Sequence, residues 1–302
     1  MKNLRRDGFV FDAVRNRGYR IRATPERLSL PYLQCLLPGP ATEDRLVFFN
    51  RTESTNRDAE RLLGEGRNTP FIVLSRRQTK GRGRLGRAWH SSDEGNLYAS
   101  FAFRPKVPPE RMQRFTLWTG VSICRCIEEE TGLSPRIKWP NDILCGTLKI
   151  GGILTEARVN ADQILEMVLG IGLNINSAPS LWASPLCTEA TSLREALQGK
   201  QDINRLTCAI ITSLFDAYDA FMNDGYRTAL NSLWEKYDLL RGRNVTAQQG
   251  KETISGRALG IDEEGRLLIA TKEAAANPVR LNAGDVTLNR SRELSPSDRE
   301  TI

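Results

Sequence analysis

One segment, residues 78–89 (QTKGRGRLGRAW), constrains this chain more than any other part of its sequence. It contains three glycines and no acid, and its basic residues lie between the glycines: Lys80, Arg82, Arg84 and Arg87. Glycine lets a backbone approach a ligand closely, and the arginine guanidinium offers a fixed fork of donors that suits carboxylates and phosphates. We therefore predict a loop that is disordered when empty and becomes ordered over an anionic ligand.

The glycines of this loop, Gly81, Gly83 and Gly86, also match the dinucleotide fingerprint G-x-G-x-x-G. That fingerprint requires a helix directly after it and an acid about 20 residues further on. Residues 89–96 instead have the composition of a turn, and Leu97–Phe103 has that of a strand. A nicotinamide site is therefore disfavoured. A solvated basic loop is the other alternative, and the interleaved glycines and Trp89 argue against it.

Composition excludes several classes of protein. The chain has 302 residues, enough for two domains, and is 40% hydrophobic and 26% charged, as in ordinary globular proteins. No apolar run approaches the ~18 residues of a membrane span, and no secretory signal is visible, so we expect a cytoplasmic protein. The single histidine, His90, argues against a histidine metal site and a Ser-His-Asp triad. Six cysteines form no C-x-x-C pair, and Cys124 and Cys126 fit buried free thiols.

Charge is concentrated near the N-terminus. The net charge is +7, and residues 1–40 carry eight Lys or Arg against three acids, a net of +5, which suggests an anionic partner. Residues 9–23 alternate around Asn16-Arg17-Gly18, which predicts a β-hairpin, and a lone hairpin must dock on other structure to be stable. Residues 24–40 contain four prolines and have the composition of a linker.

Apolar patterning predicts alternating strands and helices in the middle of the chain. Strands are expected at 46–49, 71–75, 97–103, 149–156 and 165–176, and on the two sides of a turn at 140–142 within 137–144. Helices are expected at 57–63, 110–131, from about 190, and across 203–236 as one or two amphipathic segments. After Tyr237 the glycines become frequent and the apolar runs short, which predicts a small β-barrel. Residues 291–302 are polar, and we expect a frayed end.

Four polar residues in this middle region have structural explanations that compete with functional ones. Ser54 and Thr55 precede a helix, where capping alone accounts for either of them. Asp142 follows Pro140 and Asn141, and forming a turn would account for it. Lys149 would be an ordinary surface lysine, yet it precedes Gly151 and Gly152 in an apolar strand, where a lysine fits poorly unless it points into a site. The small residues within 165–176 similarly leave room for a ligand.

Taken together, the motifs resemble those of the biotin–protein ligases, in that family's order and across about residues 45–195. They are Ser54-Thr55-Asn56, the 78–89 loop, Lys138-Trp139-Pro140-Asn141-Asp142, residues 149–154 (KIGGIL) and residues 170–176 (GIGLNIN). The resemblance implies an α+β fold: a catalytic domain with a mixed sheet, similar to class II aminoacyl-tRNA synthetases, followed by a small SH3-like barrel. The expected domains are a winged-helix remnant over 1–40, a catalytic domain over 41–237 and the barrel with its tail over 238–302.

The resemblance also implies the chemistry: biotin and ATP give biotinyl-AMP, and a lysine of the biotin carboxyl carrier protein of acetyl-CoA carboxylase then accepts biotin. Arg82, Gly83 and Arg84 would close over biotin and the acyl-phosphate, and Mg²⁺ would accompany the phosphates. Lys149, Arg84 and Asp142 would be catalytic, Lys149 contacting the biotin carboxylate and the α-phosphate. Ser54, Thr55, Asn56 and Gln78 would bind the ureido ring, and Trp89 and Asn174 would lie on the nucleotide side together with Arg82 and Arg84. No metal ligand is assigned.

Two alternatives stay open on sequence grounds. A lipoate ligase or octanoyl transferase would share the architecture, although Thr55, Asn56 and Gln78 suit a polar ring better than an alkyl chain. Some members of the family also repress transcription through an N-terminal winged helix-turn-helix. Here residues 3–9 resemble only the end of its recognition helix, and 9–23 its wing. We therefore expect no operator-specific DNA binding by this chain, and Met1 to be internal to a longer protein. The oligomeric state is left open, with a homodimer as one arrangement.

Overall fold

The computed structural model describes residues 2–15, 17–37, 44–178, 182, 186–250, 252–271 and 277–288. The helices are α1 (Lys2–Asp7), α2 (Leu30–Leu36), α3 (Thr55–Gly64), α4 (Arg111–Thr131), α5 (Leu186–Glu189), α6 (Leu193–Ala196), α7 (Ile203–Met222) and α8 (Tyr226–Tyr237). The strands are β1 (Val10–Val14), β2 (Gly18–Ala23), β3 (Leu46–Phe49), β4 (Phe71–Ser75), β5 (Leu97–Phe103), β6 (Arg136–Lys138), β7 (Asp142–Cys145), β8 (Leu148–Asn160), β9 (Gln163–Leu173), β10 (Asn244–Gln249), β11 (Glu252–Ile261), β12 (Leu267–Ala270), β13 (Val279–Leu281) and β14 (Asp285–Leu288). None of the helices in these ranges is long and apolar enough to cross a membrane.

A seven-stranded sheet forms the centre of the molecule, in the order β3-β4-β5-β9-β8-β7-β6. β3 and β4 run parallel and the other neighbours antiparallel, so the sheet is mixed, as predicted. Successive side chains of a strand point to opposite faces, and β4 shows the consequence. Phe71 and Val73 pack with α3 on one face, whereas Ile72 and Leu74 join the main core on the other.

The main core is built by the long helices α4 and α7, which pack against each other and against the sheet. Local sequence sets their limits. Asp202 caps α7 by accepting from the backbone N–H groups of Asn204 and Arg205. Gly132 ends α4 in the left-handed conformation, at φ +75°, which costs glycine little. The predicted burial of the free cysteines Cys124 and Cys126 in α4 is confirmed.

The N-terminal segment corrects one prediction. The hairpin β1–β2 forms as predicted, but residues 24–40 are not simply a linker: helix α2 lies within them and packs on α7. Leu28, Leu33 and Leu37 are buried there, because these leucines find the apolar surface of a helix distant in sequence. Residues 38–40 lie outside the described part of the chain.

Polar contacts also fix this segment to the main body of the protein. Asp7, at the end of α1, pairs with Arg76 across 2.6 Å, and the Arg76 side chain is only 8% exposed. Asn204 of α7 accepts a hydrogen bond from the backbone N–H of Ser29 at 2.8 Å. The hairpin itself projects into solvent, with Tyr19 and Ile21 more than half exposed.

The C-terminal strands form a five-stranded antiparallel sheet in the order β13-β12-β11-β10-β14. Its β11–β12 connection packs against the larger domain, where the backbone carbonyl of Gly265 accepts from Trp139 Nε1 at 3.0 Å and from Gln113 Nε2 at 2.8 Å. Because Trp139 belongs to the Lys138–Asp142 motif, the second sheet is fixed beside that motif.

Candidate functional site

A cleft of about 1540 Å³ lies between the central sheet and the C-terminal sheet. The 78–89 loop covers it, β7, β8 and β9 form its floor, and β10 and β14 contribute one wall. Every candidate site residue predicted from the sequence lines this cleft: Ser54, Thr55, Asn56, Gln78, Arg82, Gly83, Arg84, Trp89, Asp142, Lys149 and Asn174. Elements far apart in sequence therefore converge on one site.

One end of the cleft is built from neutral polar side chains joined in a buried chain of hydrogen bonds. The side-chain oxygen of Gln78 accepts from the backbone N–H of Thr55 at 2.8 Å and from its hydroxyl at 3.1 Å. The Gln78 amide donates in turn to the hydroxyl of Ser91 at 2.9 Å. Behind Thr55, the fully buried hydroxyl of Ser100 lies 2.7 Å from Thr55 Oγ1 and 2.6 Å from Asn56 Oδ1.

This end of the cleft is not explained by helix capping. Ser54 occupies the N-cap position of α3, but its side chain makes no capping hydrogen bond. Ser54, Thr55 and Asn56 are all less than 5% exposed and line the cleft. Burying polar groups costs free energy unless they find hydrogen-bond partners, and here much of that pairing is made within the site.

Two glycines of β9 leave room for side chains of the protein itself rather than for a ligand. A Cβ on Gly170 would overlap the amide of Asn56, and a Cβ on Gly172 would overlap the indole of Trp89. Gly152, which pairs with Gly172 across the β8–β9 ladder, would bring a Cβ to 3.4 Å from the same indole. The predicted space over these strands is therefore real, but Asn56 and Trp89 fill it in this structure.

The other end of the cleft is ionic. Lys149 Nζ lies 2.6 Å from Asp142 Oδ1 and 5.2 Å from the centre of the Trp89 ring, close enough for a cation–π contact. Lys149 therefore points into the site, as its position beside Gly151 and Gly152 predicted. Trp89 Nε1 is buried with no hydrogen-bond partner within the described residues.

Two of the three arginines in the loop are paired with acids from other parts of the chain, although the segment itself contains no acid. Arg82 lies 2.8 Å from Glu156 of β8, and Arg87 pairs with Asp285 of β14. Arg84 Nη1 donates to the side-chain oxygen of Asn141 at 3.1 Å. A short bridge joins Arg82 and Ala88 across the loop. These acids belong to β8 and β14, so the composition of the 78–89 segment alone could not reveal them.

These charges shift the proton affinities of neighbouring groups. The hydrogen bond and the charge of Arg87 lower the pKa of the Asp285 carboxyl, and the charges of Lys138 and Arg84 add to that effect. Burial lowers the pKa of the Arg84 guanidinium, against the opposing charges of Asp142 and Asp285. The cationic end of the cleft therefore already contains one carboxylate supplied by the C-terminal sheet.

Two further residues are held in place by their neighbours. Asn174 lines the cleft but donates from its side chain to the backbone carbonyl of Thr191 at 3.1 Å. It thus fixes the connection that precedes α6. His90 lies 3.0 Å from the hydroxyl of Ser92, and its ring packs 5.9 Å from that of Trp182. It lines the cleft without a role that we can assign.

Sequence reasoning missed four residues that complete this site: Ser91, Ser100, Glu156 and Asp285. Ser100 is a polar residue in an otherwise apolar, fully buried strand, which is the pattern that could have revealed it. Glu156 ends the predicted strand 149–156, and nothing in that apolar pattern assigns it a role. Nothing in the local sequence distinguishes Asp285, because its function depends on where the C-terminal sheet docks.

The described residues contain no group of three or more His, Cys, Asp or Glu side chains placed to hold a metal ion. Mg²⁺ in nucleotide sites is commonly held by one or two carboxylates together with substrate phosphates. Asp142 and Asp285 border the cationic end of the cleft, and such a set fits an ion that arrives with its phosphates.

Comparisons with known proteins agree with this geometry. Residues 48–174 match the model of the biotin/lipoate A/B protein ligase family, and residues 241–288 match that of the biotin protein ligase C-terminal domain. Over 273 residues the chain is 35% identical to the bifunctional ligase/repressor BirA of Bacillus subtilis, covering 90% of this chain and 84% of that relative. Over 242 residues it is 29% identical to the biotin–[acetyl-CoA-carboxylase] ligase of Mycobacterium tuberculosis, covering 78% and 86% of the two chains.

Solved structures give the same result. The biotin protein ligase of Aquifex aeolicus in complex with biotin and ATP superposes with a TM-score of 0.67 at 28% identity, covering 82% of this chain and 99% of that one. The matched regions contain the 78–89 loop, the Lys138–Asp142 motif and the C-terminal sheet that borders the cleft. The chain belongs to the biotin protein ligase family.

Proposed function

We propose that this protein is an ATP-dependent biotin–protein ligase that activates biotin and transfers it to a lysine of the biotin carboxyl carrier protein of acetyl-CoA carboxylase. The observation that carries the proposal is the division of one cleft into a neutral hydrogen-bonding end and a cationic end. Biotin has the same division, with a neutral ureido ring at one end and a carboxylate at the other. The relatives named as biotin–[acetyl-CoA-carboxylase] ligases support this carrier as the acceptor.

The hydrogen-bond chain favours biotin over lipoate. The Thr55 hydroxyl lies against Gln78 Oε1, an acceptor, and therefore donates its proton there. Ser100 has one hydroxyl proton but faces two acceptors, Thr55 Oγ1 and Asn56 Oδ1. One of these two acceptors is therefore left for a donor from outside the chain. A ureido N–H supplies that donor, whereas the dithiolane ring of lipoate and an alkyl chain do not.

In the first step, a biotin carboxylate oxygen attacks the α-phosphorus of ATP, forming biotinyl-AMP and releasing pyrophosphate. Two anions must meet, so the step depends on positioning and on charge neutralisation. Lys149 and Arg84 are the proposed cations, with Arg82 contacting both substrates and Trp89 and Asn174 on the nucleotide side. Mg²⁺ is proposed to accompany the phosphates and to neutralise part of their charge.

In the second step, the acceptor lysine amine attacks the acyl carbon, an amide forms, and AMP leaves. Asp142 is the proposed group that orients this amine and takes its proton. Its ion pair with Lys149, at 2.6 Å, keeps it beside the cation proposed for the first step. One pair of side chains would thus contribute to both reactions.

For the fold, we propose a catalytic domain over 41–237 of the class II aminoacyl-tRNA synthetase type and an SH3-like barrel over 238–302. The mixed sheet with helices on both faces supports the first, and the five-stranded antiparallel order supports the second.

Residues 1–40 would be a winged-helix remnant without operator-specific binding. A titration of the chain against operator and scrambled duplexes at physiological salt tests this. Discrimination on the order of 10³-fold between the duplexes would contradict it.

The decisive experiment is exchange of labelled pyrophosphate into ATP in the presence of biotin, lipoate, octanoate or no acid. We expect exchange with biotin alone, because only biotin completes the hydrogen-bond chain at Thr55 and Asn56. Exchange supported by lipoate or octanoate but not by biotin would overturn the proposal and assign the chain to the neighbouring class of enzyme. Transfer is then measured as incorporation of labelled biotin into a carrier domain.

A further inference from the structure

Glu156 contacts two residues that line the cleft, Asn56 and Arg82, and the chemistry proposed above does not use it. It is on β8, opposite Val168 in the β8–β9 ladder. One carboxylate oxygen accepts from Asn56 Nδ2 at 2.7 Å, and the other lies 2.8 Å from Arg82 Nη2. A single side chain therefore joins the neutral end of the cleft to the first arginine of the 78–89 loop.

The contact with Asn56 fixes which way the Asn56 amide points. An ionised carboxylate can only accept hydrogen bonds, so Asn56 must present its NH₂ group to Glu156. Its Oδ1 then faces Ser100 Oγ at 2.6 Å. Gly170 leaves this amide just enough room, since a Cβ at that position would overlap it. If Asn56 were reversed, its oxygen would face the carboxylate and its NH₂ would no longer accept from Ser100.

An ordinary surface ion pair does not describe this arrangement. Exposed pairs contribute about 0–1 kcal/mol and hold their partners loosely. The Glu156 side chain is only 24% exposed, whereas that of Arg82 is 41% exposed, and Asn56 is almost fully buried. The Glu156 charge also acts on its surroundings: burial and then this charge raise the pKa of the Glu60 carboxyl in α3, while Arg82 opposes the rise.

Resting on the proposed function, we propose that Glu156 is a positioning residue that couples the biotin end of the cleft to the loop. Through its contact with Asn56 it orients Asn56 Oδ1, one of the two acceptors available to a ureido N–H. Through Arg82 it holds the loop over the cleft. A ligand seated on Asn56 and a closed loop then stabilise each other through the two oxygens of one carboxylate. Glu156 touches neither reacting atom.

Two substitutions separate the two contacts. Glu156→Gln keeps one oxygen to accept from Asn56. Its NH₂ group then faces the Arg82 guanidinium, and because both groups are donors, no hydrogen bond forms between them. Glu156→Ala removes both contacts. Glu166→Gln is the matched control: Glu166 lies on the neighbouring strand and bridges Arg104 and Arg158 at 3.1 Å each, and neither of these arginines lines the cleft.

Two measurements are made on the full chain: the KM values for biotin and ATP in pyrophosphate exchange, and the rate of tryptic cleavage between Arg82 and Arg87 without ligand. We expect E156Q to be cleaved several-fold faster than wild type, with a smaller change in the KM for biotin. For E156A we expect faster cleavage and about a 10-fold higher KM for biotin, the scale of one lost charge-assisted hydrogen bond. The KM for ATP and the kcat should change less than the KM for biotin.

The control variant and the outcomes that would contradict the proposal give different results. Glu166→Gln should leave cleavage and both KM values near wild type, whatever it does to the melting temperature. A general loss of stability in E156A would lower kcat without raising the KM for biotin more than the KM for ATP. That result would overturn the proposal. So would loop cleavage in E156Q and E156A equal to that of wild type. If wild type shows no biotin-dependent exchange, the proposed function fails, yet the cleavage rates still test the contact with Arg82.

Discussion

At the scale of single residues, the site depends on groups whose identity follows from what they touch. Lys149 is a lysine because it faces Asp142 and the Trp89 ring across the cleft. Gly172 is a glycine because the same indole lies where a Cβ would be.

Replacing Lys149 with alanine should lower the rate of biotinyl-AMP formation by about 10²–10³-fold, the usual effect of losing one preorganised group that stabilises developing charge. The fold should be retained, since no backbone contact is lost. Lys200→Ala serves as the control, because Lys200 is exposed and pairs with Glu26 outside the cleft. The measurement is single-turnover formation of the adenylate. A rate within threefold of wild type would make Lys149 an ordinary surface lysine.

Gly172→Ala should displace the Trp89 indole from its place on β9, because the added methyl group overlaps it. We expect the KM for ATP to rise about 10-fold, the scale of losing roughly 1.4 kcal/mol of binding, and the tryptophan fluorescence to shift. Gly199→Ala is the control, since its nearest non-neighbouring atom would be 3.9 Å away. An unchanged spectrum and KM in G172A would mean that the indole has other room to occupy.

At the scale of elements, each of the three arginines in the 78–89 loop contacts a partner outside the loop. Arg82 pairs with Glu156, Arg84 with the Asn141 side chain and Arg87 with Asp285. Within the segment there are a short 3₁₀ turn at Arg84–Gly86 and a bridge between Arg82 and Ala88, and Leu85 in the turn is 75% exposed. The loop thus depends on these partners as well as on its own backbone contacts.

Limited proteolysis with trypsin measures that dependence. Cleavage between Arg82 and Arg87 should occur in the empty protein and be suppressed by biotin together with ATP, since anions held by the arginines would close the loop. Biotin without ATP should protect less, because the phosphates are absent. The exposed arginines of the β1–β2 hairpin, which lie outside the cleft, provide an internal control. Equal cleavage near Arg82–Arg87 with and without ligands would contradict the idea of a ligand-ordered loop.

At the scale of the whole molecule, the C-terminal sheet forms part of the site. Its β14 supplies Asp285 to Arg87, and the adjoining Gly284 carbonyl lies 3.5 Å from Arg84 Nη1. Trp139 and Gln113 fix the same sheet to the larger domain through Gly265. The position of the loop is therefore linked to the docking of a separate domain.

Asp285→Ala should release the loop from the C-terminal sheet. We expect faster tryptic cleavage at Arg87 in the empty protein, and loss of the salt dependence of that cleavage, because the Arg87–Asp285 pair is exposed enough for salt to screen it. Glu252→Ala, an exposed acid of the same sheet outside the cleft, is the control. Cleavage in D285A that matches wild type at every salt concentration would show that the pair does not hold the loop.

The sequence by itself determined the elements and the family, and the physical reason is that their determinants are local. Gly132 ends α4 at the predicted limit of that helix, and α6 begins close to the predicted start at about residue 190. Runs of apolar residues indicated the strands of the sheet. The motifs likewise identified the residues that line the cleft, because each motif is contiguous. Residues 24–40 show where this reasoning fails: prolines suggested a linker, but buried leucines made part of it a helix.

Only the tertiary structure decided how these residues pair. Asn56 and Glu156 are 100 residues apart, and Arg87 and Asp285 are 198 apart, so no local pattern connects them. The loop looked uncompensated because its acids come from β8 and β14. The glycines of β9 indicated space but not that Asn56 and Trp89 would occupy it. Such contacts form only when packing of the apolar core brings distant strands and loops together, and that packing is a property of the whole chain.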